Sequence, residues 1–332
     1  MIDIKKIPKI AFVILKAKAN IKTPLKVTQY LTYKCNLNCS FCGRRGSSKE
    51  LTLEEIKKMM DEFKKMGTMF WGFNGGEPLL RDDVNKIIKY AKSLGFKCTM
   101  STNGILIPKK IDSLKRLDVV LVSIDGNEEI HDKVRGKGSY ARAVQGIKTL
   151  KKYGIKTIIW TVINKTNYKH LDDIMKLAED YGCEWEVQPV CRHKEDKEGR
   201  ADDFLLSPEE LSDSARWLIE QKRIGKPISN SDAFLELMNE NKKQPDCFAS
   251  GLFCAISPDG YIVPCADFLY KSENFRNCLD GVKKAFKSLP NMSKCRNCSF
   301  GCYMEYNLLL NSLTKSALKA LNNIFKGKVF WK

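Results

Sequence analysis

The stretch KVTQYLTYKCNLNCSFCG, residues 26–43, decides how the rest of the chain is read. Its first half alternates β-branched and aromatic residues with polar ones, the period of a strand whose two faces meet different surroundings. Its second half sets Cys35, Cys39 and Cys42 within eight residues on the loop that follows. A strand that ends in three thiols is a site-building element, because the working face of a βα fold lies at the C-terminal ends of its strands.

Outward from this stretch, apolar β-rich runs alternate with amphipathic helical ones as far as Gln188, the signature of parallel strands with covering helices. Strands are expected near Val27 to Tyr33, Met69 to Asn74, Lys97 to Ser101, Val119 to Ile124, Thr157 to Ile163 and Glu184 to Pro189. Thr52 with Glu55, and Ser207 with Glu210, are capping boxes that open helices. Six βα units predict an α/β fold, a partial (βα)6 barrel over residues 27–190. Residues with chemistry fall at its strand ends: Gly75-Gly76-Glu77-Pro78 after the second, Thr102-Asn103-Gly104 after the third, Asp125-Gly126 after the fourth.

The remainder divides by composition. Residues 191–244 are charged, hold one clear helix and read as a bridging segment. Residues 245–302 carry seven of the thirteen cysteines among turn signals, and so small a unit needs a metal staple. It is expected as a small C-terminal cysteine-rich domain. At 332 residues and 43% apolar composition the chain can bury a sizeable core. No window approaches the about eighteen uncharged apolar residues of a membrane span, and no secretory signal opens the chain. A cytoplasmic location follows, where thiols serve metals or catalysis more often than disulfides. The net charge of +18 points to anionic partners.

Cys35-x3-Cys39-x2-Cys42 supplies three thiolates, one fewer than a four-iron cluster takes for complete protein ligation, and so implies an open iron site. A structural zinc knuckle is the alternative, although it would want a fourth ligand, and the nearest histidine in sequence is His131. The C-x3-C-x2-C spacing after a first strand, with Phe41 before the last cysteine, resembles the radical S-adenosylmethionine (SAM) superfamily. Asn74-Gly75-Gly76-Glu77-Pro78 is similar to that family's GGEP segment. Asp125-Gly126 with His131-Asp132-x2-Arg135-Gly136 resembles a pattern frequent in its cysteine-rich branch.

The resemblance implies a [4Fe–4S] cluster on Cys35, Cys39 and Cys42 whose open iron takes the methionyl amine and carboxylate of SAM. Cleavage of SAM to a 5′-deoxyadenosyl radical would be followed by hydrogen abstraction from an unactivated C–H bond. The implied cofactor-binding residues are Gly75, Gly76 and the Glu77 region, with Ser123 and Arg135 for ribose or carboxylate and Phe41 or Val162 against adenine. Arginine suits a carboxylate through its bidentate fork. An external electron donor such as flavodoxin or ferredoxin is implied too.

The second cysteine region, Cys247-x12-Gly260-x4-Cys265 followed by Cys295-x2-Cys298-x3-Cys302, pairs soft thiolates across a turn-rich loop, as a further cluster or a zinc ribbon would require. It resembles the auxiliary-cluster extension called SPASM, or its shorter relative twitch, with fewer cysteines after the C-x2-C pair than the full pattern has. The expected ligands of at least one auxiliary [4Fe–4S] cluster are Cys247, Cys265 and two or more of Cys295, Cys298 and Cys302. Cys254 would complete it or give hydrogen to a product radical. Cys98 and Cys183 read as buried apolar residues.

Residues 1–26 and 303–332 both read as basic amphipathic helices, which can lie on an anionic membrane or dock on the barrel. From them comes the first expectation of substrate, an amphiphilic lipid or isoprenoid met at the inner face of the membrane by a peripherally attached enzyme. The alternative is a SPASM-type peptide maturase that crosslinks or epimerises a ribosomal precursor. Nucleic acid is disfavoured as a partner, since no basic stacking motif accompanies the charge.

Overall fold

A computed structural model describes residues 22–43, 49–192, 199–240, 244–296, 298, 301 and 303–312. Its spine is one sheet of eight strands in the order β6-β5-β4-β3-β2-β1-β7-β8. The first six are β1 Lys26–Tyr30, β2 Phe70–Asn74, β3 Lys97–Thr102, β4 Val119–Ser123, β5 Thr157–Ile163 and β6 Glu184–Pro189. All pair in parallel with their sequence neighbours, in a register that sets Val27 beside Trp71 and Trp71 beside Cys98. Consecutive parallel strands joined by helices give the partial (βα)6 barrel that the sequence predicts.

The helices start where their sequences say. Leu53–Lys65 (α1) follows the Thr52 capping box, in which Glu55 N–H donates to the threonine hydroxyl and the Glu55 carboxylate accepts from Thr52 N–H. Val84–Ser93 (α2), Ile107–Leu114 (α3), Glu128–Arg135 (α4), Ser139–Lys152 (α5) and Leu171–Asp180 (α6) complete the barrel's outer layer. The core lies between them and the sheet's outer face, where Trp71 stacks on Phe96 with centroids 5.2 Å apart and meets the edge of Phe63 at 5.6 Å. Cys98 and Cys183 sit in this core as apolar residues.

Two features differ from the sequence expectation. The bridge holds two helices rather than one, Pro208–Arg223 (α7), opened by the Ser207 capping box, and Asp232–Glu240 (α8). Ile228 between them forms a backbone bridge with Trp185, covering the outer edge of β6. The cysteine-rich region also joins the barrel's own sheet: Phe253–Ile256 (β7) pairs in parallel with β1, and Ile262–Val263 (β8) pairs antiparallel with β7. A four-residue apolar strand among turns and cysteines has no period to announce it, and its pairing is long-range. Val282–Lys287 (α9) then docks on α1, its first N–H donating to Glu62 at 3.0 Å. A last helix spans 303–312, while the expected terminal helices fall for the most part on 1–21 and 313–332, outside the described residues.

Candidate active site

Because side chains alternate across a strand, one residue in two of each barrel strand points inward. These residues enclose a single deep cavity of about 330 Å³, walled by Lys26, Thr28 and Tyr30 of β1 and by Ser123, Val162 and Gln188 of β4 to β6. Gly72, Thr99 and Ser101 leave its middle open, where a closed barrel would be filled by branched side chains. At the strands' C-terminal ends the cavity is bordered by Cys35, Cys39, Phe41 and Cys42, so all three thiols of the first loop face one space.

That loop is held from two sides. Ser40 donates from both its N–H and its hydroxyl to the carbonyl of Val134 in α4, at 2.9 and 3.0 Å. On the other side Gly76 N–H donates to Thr32 O at 2.8 Å and Glu77 N–H to Lys34 O at 2.9 Å. A Cβ at Gly76 would stand 2.4 Å from Lys34 O, and one at Gly75 would stand 2.5 Å from Thr32 O. Both glycines line the cavity, but the close approach that excludes a side chain is to the cysteine loop's own backbone.

Glu77 anchors the turn that carries the two glycines. Its side chain is buried and does not border the cavity. The carboxylate accepts from Leu79 N–H at 3.0 Å, Asn103 N–H at 2.8 Å and the Thr102 hydroxyl at 2.9 Å. It therefore ties the GGEP turn to the end of β3 beneath the site. Burial pushes its pKa up to about 7 against the pull of those three donors. Asn103, fixed in this way, donates to Asn36 Oδ1 at 2.8 Å beside Cys35.

Arg135 lines the cavity at the end of α4. Its Nε donates to Asp125 Oδ2 at 2.6 Å, and its guanidinium lies 5.8 Å from the centroid of the Phe41 ring. Asp125 also accepts from Val162 N–H at 3.0 Å, while its own N–H donates to Nδ1 of buried His131 at 3.2 Å. An imidazole nitrogen that accepts is unprotonated, in accord with burial holding His131 down to about 4. The Asp125-Gly126, His131 and Arg135 positions thus form one unit that aims a cation at the cysteines. Burial raises Cys39 to about 11, with Arg135 pulling the other way.

In the second region Cys247, Cys265 and Cys295 lie near enough to perturb one another electrostatically. Burial pushes Cys265 up to about 12. Cys298 is clasped by Gln244, which donates to its carbonyl at 3.0 Å and accepts from its N–H at 2.9 Å. Cys302 lies outside the described residues. Cys254, expected as a ligand or hydrogen donor, stands in β7 with no exposed surface, packed in the main core, and burial alone raises its pKa. Ala266, next to Cys265, and Tyr303 reach the main cavity, so the second region contributes to its wall.

Among the described residues no three Cys, His, Asp or Glu side chains converge closely enough to grip a single ion. The donors that border the cavity are soft thiols, with Asp125 and Glu77 spent on other partners. That donor set fits an iron–sulfur cluster, which spreads its thiolates around a larger body. Sequence reasoning passed over Cys191, Gln188, Trp160 and Lys26, all on the cavity wall. The alternation of inward positions from Tyr30 back to Lys26 is the signal that finds the last of these.

Comparison with known proteins agrees with this geometry. Residues 30–178 match the model of the radical SAM superfamily. The mycofactocin maturase MftC of Mycobacterium ulcerans is 30% identical over 293 residues, covering 81% of this chain and 76% of its own. The chain belongs to the radical SAM superfamily, in the branch with an auxiliary-cluster domain. Another relative, the AdoMet-dependent heme synthase of Methanosarcina barkeri, is 28% identical over 290 residues, 78% of this chain and 81% of its own. Among solved structures, Streptococcus suis SuiB bound to S-adenosylmethionine superposes with a TM-score of 0.68 at 16% identity, over 83% of this chain and 68% of that one. A peptide-bound anSMEcpe gives 0.64 at 19%, over 80% of each. These two speak for the fold. As a radical SAM enzyme the protein works with SAM, a [4Fe–4S] cluster and an auxiliary cluster. No helix among the described residues is long and apolar enough to cross a membrane.

Proposed function

We propose that this radical SAM enzyme modifies a peptide by abstracting hydrogen from one of its C–H bonds. What carries the reading is the 30% identity to a maturase, with polar groups on the cavity wall below the cysteine loop beside it. Thr28, Thr99, Ser101, Ser123 and Gln188 give it hydroxyls and an amide, and Gly72 gives it room. Among the apolar Leu121, Trp160, Val162 and Val190, these groups are the few placed polar contacts that would fix a ligand's orientation. From Tyr30 to Lys26 the cavity runs about 13 Å along β1, at about 3.3 Å per residue. The relatives named as maturases support the same alternative over a lipid, and the lipid reading rests on termini that lie for the most part outside the described residues.

In this reading Cys35, Cys39 and Cys42 hold the cluster, while Gly75, Gly76, Ser123, Arg135, Phe41 and Val162 surround SAM. When bound, the two together supply the 5′-deoxyadenosyl radical that removes the hydrogen atom. The protein's part is to bind, orient and exclude water. Arg135 spends its Nε on Asp125, and the two Nη groups make no hydrogen bond among the described residues, which leaves them for a carboxylate. Phe41 is propped by the edge of Phe204 at 6.0 Å and offers a face for a ring. Cys247, Cys265 and two or more of Cys295, Cys298 and Cys302 would hold the auxiliary cluster.

A tetrapyrrole is the second reading, favoured by the heme synthase relative and by the cation Lys26 on the cavity wall, which suits a carboxylate. The test is anaerobic reconstitution with iron and sulfide, then SAM and dithionite with either a library of short peptides or Fe-coproporphyrin III. Peptide products that have lost two hydrogens or taken up solvent deuterium, in step with 5′-deoxyadenosine, are expected. Conversion of the tetrapyrrole with the peptides untouched would favour the second reading.

A further inference from the structure

We propose that Asn103 tunes the reduction potential of the first cluster through Cys35, its side-chain amide facing the Cys35 sulfur as a donor that makes the centre easier to reduce. The inference rests on the reading that Cys35, Cys39 and Cys42 hold that cluster, and it gives Asn103 a role beyond its tie to Asn36.

Asn103 is buried just after β3 and borders the cavity. Its N–H donates to the Glu77 carboxylate at 2.8 Å, and its Oδ1 accepts from Ile105 N–H at 3.1 Å. Together these contacts fix the side-chain amide and turn Nδ2 toward the cysteine loop. An asparagine Nδ2 carries two N–H groups. Here it lies 2.8 Å from Asn36 Oδ1 and 4.0 Å from Cys35 Sγ. The sulfur contact is long, but sulfur is a large acceptor and the donor is already held in place by its other partners.

The thiols of the loop are served unequally. Loss of surrounding water raises both Cys35 and Cys39. At Cys39 the chief opposing pull is the Arg135 guanidinium. At Cys35 that cation comes behind the Leu37 N–H, which donates to the sulfur at 3.4 Å. Neutral donors thus do at Cys35 what a cation does at Cys39. When the cluster takes up one electron, part of the added charge falls on its thiolate sulfurs. A donor aimed at such a sulfur stabilises the reduced state more than the oxidised one and raises the potential. Hydrogen bonds to charged acceptors are about twice as strong as neutral ones. The electron comes from an outside reductant and passes on to SAM, and Asn103 gives up no proton.

The experiment is a redox titration of the reconstituted holoenzyme followed by electron paramagnetic resonance, the first cluster being the signal that Cys39→Ala lacks. Asn103→Ser removes the amide donor and keeps the turn, because a serine hydroxyl accepts from the N–H two residues on as asparagine does. Asn103→Leu removes the donor in a second way. Asn36→Ala cuts the tie between the loop and Asn103 while leaving the donor at Cys35. Whichever Asn103 variant keeps its iron should shift the first cluster's reduction equilibrium about three- to tenfold toward the oxidised form, tenfold being about 59 mV for one electron. The auxiliary signal should not move, and Asn36→Ala should stay within about twofold of wild type. A smaller shift in the Asn103 variants would overturn the proposal. An equal shift in Asn36→Ala would overturn it too, by showing that the tie to the loop is what matters. Loss of the first cluster's iron from both Asn103 variants would make the residue a builder of the site rather than a tuner of it. A full wild-type signal persisting in Cys39→Ala would instead remove the cluster from this loop, and with it the reading beneath the proposal.

Discussion

Arg135 and Asp125 meet 2.6 Å apart, Nε to Oδ2, in a place where both side chains are buried. Removing one member of a buried pair strands the other charge, at a cost of about 3–5 kcal/mol. Asp125→Ala should therefore lower stability by about that amount, the more so because Val162 N–H loses its acceptor too. Arg135→Ala should cost less than the full range, since Val162 still satisfies one Asp125 oxygen. In a double-mutant cycle followed by urea unfolding, the double variant should fall short of the sum of the singles by more than about 1 kcal/mol. Additivity would mean that the contact carries no coupling.

Gly76 and Gly72 predict opposite outcomes for the same change. In Gly76→Ala the new Cβ would stand 2.4 Å from Lys34 O and 2.6 Å from Tyr33 O, so the cysteine loop must move. In Gly72→Ala the nearest atom is Thr99 Oγ1 at 3.5 Å, an ordinary contact. After reconstitution, Gly76→Ala should bind one cluster's worth of iron less than wild type. Gly72→Ala should keep its iron while narrowing the cavity. Iron and sulfide analysis with the visible absorption spectrum decides it.

The contrast between these glycines marks what the sequence makes legible. Spacing of Cys35, Cys39 and Cys42, and the period-two runs from Val27 to Pro189, carry the barrel and the place of its site, because both are local patterns. The capping boxes at Thr52 and Ser207 are local as well, and both form. The anchoring role of Glu77 is not legible in its sequence neighbours, because its three donors come from Leu79, Thr102 and Asn103. Two of them belong to another strand end. The strand position of Cys254 is not legible either, because a cysteine in a cysteine-rich stretch carries no mark of the pairing that sets it beside Val27.

Cys254 supplies the next prediction. As a packed thiol in β7, its replacement by Ala removes one buried sulfur and leaves the ligand set whole. Cys254→Ala should keep the iron of both centres and lose about 1–2 kcal/mol of stability, the cost of a small cavity. Cys265→Ala, from the group that includes Cys247 and Cys295, should lose the auxiliary iron and keep the absorption of the first cluster. A Cys254→Ala protein short of one cluster would return this residue to the ligand set.

Glu77 and His131 make the pH dependence of stability a test of the same architecture, because their shifts have opposite signs over nearly the same window. Glu77 is raised to about 7 from 4.5, so between these values the folded state holds a proton that the unfolded state has lost. Its contribution is full below about 4.5 and disappears as pH rises through about 7. His131 is lowered to about 4 from 6.5, so its contribution is full above 6.5 and disappears as pH falls through about 4. Each shift corresponds to stability on the order of 3 kcal/mol. The two slopes offset each other in the wild type across the shared window. His131→Gln should expose the Glu77 slope, with urea stability falling as pH rises from 4.5 to 7. Glu77→Gln should expose the other, with stability rising from 4 to 6.5. Urea titrations of the apoprotein of both variants, in which metal cannot contribute a slope of its own, make the comparison. Parallel slopes in the two variants would mean that at least one of these side chains is not buried in the ionisation state assigned to it.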